Sequence, residues 1–161
     1  MKAAIIMGSD SDYEVVVKAE KLLLEFGIIC DVRIISAHRT PYQAESFAKN
    51  AENNGVEVII GAAGKAAHLP GVLAAYTTLP VIGLPIKSST MDGLDSLLSI
   101  VQMPKGIPVA TVAINGAENA ALLAIQILSV KYPDLREKMK GYKKKMEEEV
   151  VKKDQAFRER R

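Results

Sequence analysis

Several residue types are scarce in this chain. Among 161 residues there is one cysteine, Cys30, and no tryptophan, and aromatics amount to 5%. A lone cysteine closes no intramolecular disulfide, and its apolar-rich neighbourhood suits a small buried thiol, so a reducing, cytoplasmic location is the expectation. Few aromatics leave little with which to sandwich a flavin ring or stack nucleic-acid bases. No apolar run reaches the roughly 18 residues of a membrane span, and MKAAIIM is too short for the hydrophobic part of a signal peptide. Charge of one sign is also in short supply: 21 basic and 19 acidic residues give a formal net charge of +2. That balance gives no pull towards nucleic acid or an anionic membrane, so an anionic ligand has to be bound locally.

What the chain does have is hydrophobic residues, 48% of the total, enough for one core of ordinary domain size. They fall into a repeating pattern. The run AAIIM stops at Gly8 and is followed by SDSDYEVVVKAEKLLLEF, with helical spacing and acids in its first turn. Four further units repeat the theme: CDVRIIS then TPYQAESFAKNAENNG, EVIIGAAG then LPGVLAAYTT, PVIGLP then DGLDSLLSIVQ, and PVATVAI then AENAALLAIQIL. Apolar strands alternating with helical crossovers predict a five-stranded parallel sheet covered on both faces, a flavodoxin-like three-layer α/β sandwich of strand order 2-1-3-4-5. In such a sheet ligands bind outside the carboxyl ends of the strands, at the switch point beside strand 1.

Residues 1–131 supply this body, and the segment 132–161 differs from it, with eleven basic and seven acidic residues. Leu135, Met139, Tyr142, Met146 and Val150 recur at spacings of three or four and form a narrow apolar stripe on a helix. The stripe fits either against a neighbouring subunit or against the chain's own body. The EEE run and the absence of interleaved aromatics speak against a nucleic-acid arm.

The loops after the strands carry the candidate chemistry. Gly8, Ser9, Asp10, Ser11 and Asp12 form a glycine-led, hydroxyl-rich turn at a helix start, suited to an anion or to ordinary helix capping. It matches neither a Walker A loop nor G-x-G-x-x-G. After strand 2 comes SAHRTP, residues 36–41, with one of only two histidines in the chain. In a 2-1-3 order, His38 and Arg39 lie beside the Ser9 turn, so the Arg39 fork and the hydroxyls of Ser9, Ser11 and Ser36 can share one phosphate while the imidazole faces the rest of the ligand. Thr40 and Pro41 then suit the cap and first turn of the next helix. Strand 3 runs into GAAGKAAHLPG, where Ala63 and Gly64 let a flat ligand approach backbone, Lys65 can meet a carboxylate or point to solvent, and His68 either anchors the loop or takes part in catalysis. After strand 4, IKSST adds hydroxyls at the same edge.

Five of these stretches, GSDSD, SAHRTP, AAHLPG, GLDSLLSIVQMP and NAALLAIQIL, occur in an order and spacing that resembles the PurE family of purine biosynthesis in its class I mutase form. The resemblance implies a homo-octamer whose C-terminal helices exchange between subunits, no metal or organic cofactor, and a ribonucleotide substrate with carbon dioxide passing between its atoms. It implies that Ser9, Asp12 and Arg39 contact the ribonucleotide, that Ser11 and Ser36 line its phosphate and base, that His38 shuttles a proton, and that the His68 loop covers the imidazole ring. One stretch departs from the family: its usual GAGGAAHLPG here has Ala62 and Lys65 in place of glycines. Lys65 resembles the basic residue of class II relatives, which carboxylate aminoimidazole ribonucleotide with free carbon dioxide, whereas HRTP, HLPG and VQMP are class I forms. A receiver domain shares the topology but needs an aspartate at the end of strand 3, where this chain has Gly61, Ala62 and Ala63.

Overall fold

The computed structural model describes residues 1–160. Five strands, β1 (Lys2–Met7), β2 (Ile29–Ile34), β3 (Val58–Gly64), β4 (Val81–Ile86) and β5 (Ala110–Thr111), form one parallel sheet in the order β2-β1-β3-β4-β5. Helices α1 (Tyr13–Glu25), α2 (Pro41–Asn50), α3 (Leu69–Tyr76), α4 (Leu94–Val101), α5 (Ala117–Leu128) and α6 (Pro133–Arg158) connect and cover it.

Side chains of the central strands alternate between two cores. Ala3, Ile5 and Met7 of β1 pack with Val16, Leu23, Ala121 and Ile125 of α1 and α5, while Ala4 and Ile6 face Phe47, Leu69, Leu73 and Ile100 of α2, α3 and α4. Because both faces are covered, β3 and β4 are buried at nearly every position and read as continuous apolar runs. Close approach of α4 to the sheet requires a glycine at position 83 of β4, where an added Cβ would collide with Ile100 Cγ2 and come within 2.9 Å of Val109 Cγ1. Gly83→Ala is expected to cost about 1–3 kcal/mol through overpacking. A thermal melt should show this as a drop of several degrees, and an unchanged melting temperature would mean that α4 moves aside freely.

The fifth strand is shorter than the PVATVAI run predicts. Only Ala110 and Thr111 pair with β4. Pro108 and Pro85 lack the N–H groups a longer ladder would use, and the strand lies at the sheet edge with one neighbour.

The C-terminal segment forms a single 26-residue helix. Its first turns dock on the body: Leu135 and Met139 are buried, the Tyr142 ring lies 6.0 Å from that of Phe26, and Lys138 Nζ donates to the Phe26 carbonyl at 3.0 Å. Its start is tied to the foot of β3, where Glu57 accepts from Lys131 Nζ and Tyr132 Oη, each at 2.8 Å. Burial pushes the Glu57 carboxyl upward, but these two hydrogen bonds and the lysine charge outweigh it and leave the pKa below the ordinary value. Beyond Tyr142 the stripe leaves the body, and Met146, Val150 and Val151 are exposed. Among the described residues, no helix is long and apolar enough to cross a membrane.

Candidate functional site

Register builds the site. Met7 stands level with Ile34 of β2 and Ala62 of β3, and Gly64 pairs with Ile86, so the chain leaves all four strands at one edge of the sheet. There the loops surround a cleft of about 640 Å³, within the usual range for small-molecule sites. The cleft lies where the connection from β1 runs outward to β2 and the next returns to β3, which is the switch point of the fold. Ser9, Ser11, Asp12, Ser36, His38, Arg39, Ala63, Gly64, Lys65 and His68 all line it, whereas Asp10 of the first turn does not.

In the first loop Ser9 begins a single 3-10 turn, Asp10–Asp12, and forms a capping box with Asp12. Asp12 Oδ2 accepts from the Ser9 N–H at 3.2 Å, and Ser11 Oγ donates to Ser9 Oγ at 3.0 Å. Capping and ligand binding are therefore compatible here, because the hydroxyls that cap the turn also face the cleft. Asp12 is only 7% exposed. Burial raises its pKa, partly offset by hydrogen bonds from the Ser9 backbone, the Ser11 side chain and the Gly8 backbone. A raised carboxyl pKa means that folding favours the protonated form. Its stabilising contribution is present at acid pH and is lost as pH rises through the folded-state value. Asp12→Asn is thus expected to melt no lower than the parent chain at neutral pH, with any advantage shrinking as pH falls into the carboxylate range. A lower melting temperature at neutral pH would contradict the desolvation argument.

In the second loop the SAHRT segment folds on itself. The Thr40 N–H donates to the Ser36 carbonyl at 2.8 Å, and Thr40 Oγ1 accepts from the Ser36 N–H and donates to its carbonyl, each at 3.0 Å. Thr40 does occupy the cap position of α2 and Pro41 its first turn, but the hydroxyl closes the preceding turn instead of capping the helix. This closure presents the next side chains to the cleft. Arg39 Nη2 donates to the Gly8 carbonyl at 3.2 Å and Nε to Ser36 Oγ at 3.4 Å, which joins the first two loops.

The third loop brings the second histidine to the first. His38 Nε2 and His68 Nδ1 lie 2.9 Å apart, with the rings edge to face at 82°. One nitrogen of this contact has to carry the hydrogen and the other a lone pair, so at least one ring is neutral and the proton can pass between them. His68 itself sits at the cap position of α3 without a side-chain capping bond. Its ring is therefore available to His38.

A fourth contribution comes from the loop after β4, at the edge where the sequence places the IKSST hydroxyls. Ile86, Lys87, Ser88 and Ser89 line the cleft from the end of β4. The hydroxyls of IKSST at the strand end were the available signal. Ser88 Oγ is engaged with Asp95, at 2.9 and 3.0 Å from its two carboxylate oxygens, and Lys87 Nζ pairs with Asp92 at 3.1 Å. The cleft thus carries Arg39, Lys65 and Lys87 against one carboxylate, Asp12, a balance suited to an anionic ligand. Burial pushes the Cys30 thiol up to about 12, and the residue lies outside the cleft lining. Among the described residues no three of His, Cys, Asp and Glu cluster as a metal site.

Fold and cleft together define a doubly wound α/β protein with a small-molecule site at its switch point. The family model described as AIR carboxylase matches residues 2–149, and the chain belongs to that family. It is 59% identical over 155 residues to the N5-carboxyaminoimidazole ribonucleotide mutase of Pyrococcus horikoshii, covering 96% of this chain and 88% of that one. It is 58% identical over 154 residues to the protein of the same name from Thermotoga maritima, covering 96% and 90%. The crystal structure of Treponema denticola PurE matches with a TM-score of 0.87 at 30% identity, over 95% of this chain and 96% of that one.

Proposed function

We propose that this protein is an isomerase of purine biosynthesis that converts N5-carboxyaminoimidazole ribonucleotide into 4-carboxy-5-aminoimidazole ribonucleotide. The observation that carries the reading is the 2.9 Å contact of His38 with His68 inside a cleft that also holds the Ser9, Ser11, Ser36 and Arg39 cluster. The hydroxyls and the guanidinium suit the phosphate, with Asp12 on the ribose, and the small residues Ala63 and Gly64 let the flat imidazole ring lie against backbone.

The reaction is balanced without an external reactant. The bond from the exocyclic nitrogen to the carboxyl carbon breaks, the nitrogen takes a proton, and carbon dioxide is released into the cleft. The electron-rich ring carbon attacks it, a C–C bond forms, and the hydrogen left on that carbon departs as a proton. One proton goes in and one comes out, so a single imidazole that delivers the first can collect the second. His38 has this role, with His68 as its relay. The cleft holds carbon dioxide near the ring carbon and so raises its effective concentration.

The distal half of α6, exposed on the single chain, packs on a neighbouring subunit in this reading, as the outer part of a homo-oligomer, an octamer. Residues 132–161 then act as an interaction element attached to the catalytic body, in a cytoplasmic enzyme.

Steady-state rates with N5-carboxyaminoimidazole ribonucleotide, against aminoimidazole ribonucleotide plus bicarbonate, test the assignment. A strong preference for the first is expected. Preference for the second pair would make the protein a carboxylase that uses free carbon dioxide.

A further inference from the structure

Lys65 is the cleft residue whose geometry is hardest to explain by folding alone. Its φ is +55°, a left-handed conformation that a side chain with a Cβ disfavours and that glycine adopts freely. The position makes no demand for a long cation in the core, because the side chain is exposed. Its backbone carbonyl accepts from the Ala67 N–H at 2.8 Å and the Ala66 carbonyl accepts from the His68 N–H at the same distance, so the bend at Lys65 is part of what carries His68 to His38. Glycine would form that bend with less resistance. A lysine held there points to use of its side chain.

The other cations of the cleft are committed. Arg39 is bonded to the Gly8 carbonyl and to Ser36, and Lys87 is paired with Asp92, whereas the Lys65 ammonium has no hydrogen bond or ion pair among the described residues. The substrate of the reading above carries two anionic groups, a phosphate and a carboxylate. Hydroxyls and a guanidinium gather on the β1 and β2 loops, which suits the phosphate. Lys65 stands apart from them on the β3 loop, in the lining of the same cleft as His38 and His68.

We propose that Lys65 is a specificity residue whose ammonium holds the carboxylate of the substrate and product, and which distinguishes carboxylated from decarboxylated ribonucleotide. The proposal rests on the mutase reading. As a point charge on a flexible stem, the ammonium can pair with the carboxylate on the exocyclic nitrogen before transfer and with the one on the ring carbon after it, two positions a rigid fork would reach less easily. It also favours the carboxylated ligands over aminoimidazole ribonucleotide, which bears the same phosphate and lacks the carboxylate.

The test uses the full-length protein and calorimetric titration with two ligands, 4-carboxy-5-aminoimidazole ribonucleotide and aminoimidazole ribonucleotide. Lys65→Met keeps the stem and the backbone preference while removing the charge. It should weaken the carboxylated ligand by about tenfold, equivalent to about 1.4 kcal/mol, and leave the decarboxylated one within twofold. Lys65→Gly should show the same selective loss while melting no lower than the parent chain, since it relieves the left-handed strain. Equal weakening of both ligands would place Lys65 on the phosphate and overturn the proposal, as would unchanged affinity for both. A lower melting temperature for Lys65→Gly would overturn the claim that lysine is held there against its backbone preference. If the parent chain bound neither ribonucleotide, the mutase reading would fall and take this inference with it, an outcome distinct from failure of the Met variant alone.

Discussion

His38→Asn is expected to lower kcat by about a hundred- to ten-thousand-fold while ribonucleotide affinity stays within a few-fold of the parent chain. The reasoning starts from exposure: His38 sits on the solvent side of the SAHRT turn, and that turn is closed by Ser36 and Thr40 without help from the imidazole. Its removal leaves no cavity, so the fold should persist. Asparagine retains a polar side chain but does not exchange a proton near neutral pH, so both proton steps lose their carrier. Contacts from the Ser9 turn and Arg39 remain, which preserves binding. His68→Asn should cost less, because His68 acts through His38. Near-normal turnover in His38→Asn would remove this residue from the chemistry, and loss of binding in step with turnover would recast it as a positioning group.

Truncation of residues 146–161 is the second change with a large expected effect. It leaves Leu135, Met139 and Tyr142 in place, with the anchors to Phe26 and Glu57, so the single-chain body keeps its contacts. It deletes Met146, which the body covers only in part, and Val150 and Val151, which are exposed on the single chain. An apolar stripe on a charged helix of this length gains its stability from packing rather than from propensity, and in the proposed assembly a second copy of the chain supplies that packing. Light scattering should show the assembly falling to smaller species after truncation, with secondary structure otherwise retained. An unchanged mass would show that subunit contacts lie elsewhere on the surface.

The central sheet was readable from residues alone because β1, β3 and β4 are buried on both faces and appear as uninterrupted apolar runs, each followed by a helical period. The edges were less readable. In β5, proline and a single neighbour cut the ladder to two residues, a limit that depends on the partner strand and not on the PVATVAI run itself. The cleft was legible in its loops, since glycine, hydroxyls and histidine immediately after strands are distinctive and strand order brings them together. The contact between His38 and His68 was not legible. The two are 30 residues apart, and their meeting depends on the bend at Lys65 and on the closure of SAHRT by Thr40. Thr40 read as a simple cap, because spacing does not reveal that its hydroxyl bonds backward to Ser36. The β4 contribution was underweighted for a related reason: the hydroxyls of Ser88 and Ser89 look like ordinary helix-entry residues until the sheet edge puts them in the cleft.

In the proposed reaction one carboxyl group passes from nitrogen to carbon inside this cleft without leaving it. Substrate labelled with carbon-13 in its carboxyl group, turned over in unlabelled bicarbonate, measures this directly by the label retained in the product. Most of the label is expected to stay in the product. Product carrying the isotopic composition of the surrounding bicarbonate would contradict it, because the carbon dioxide would then have come from solution.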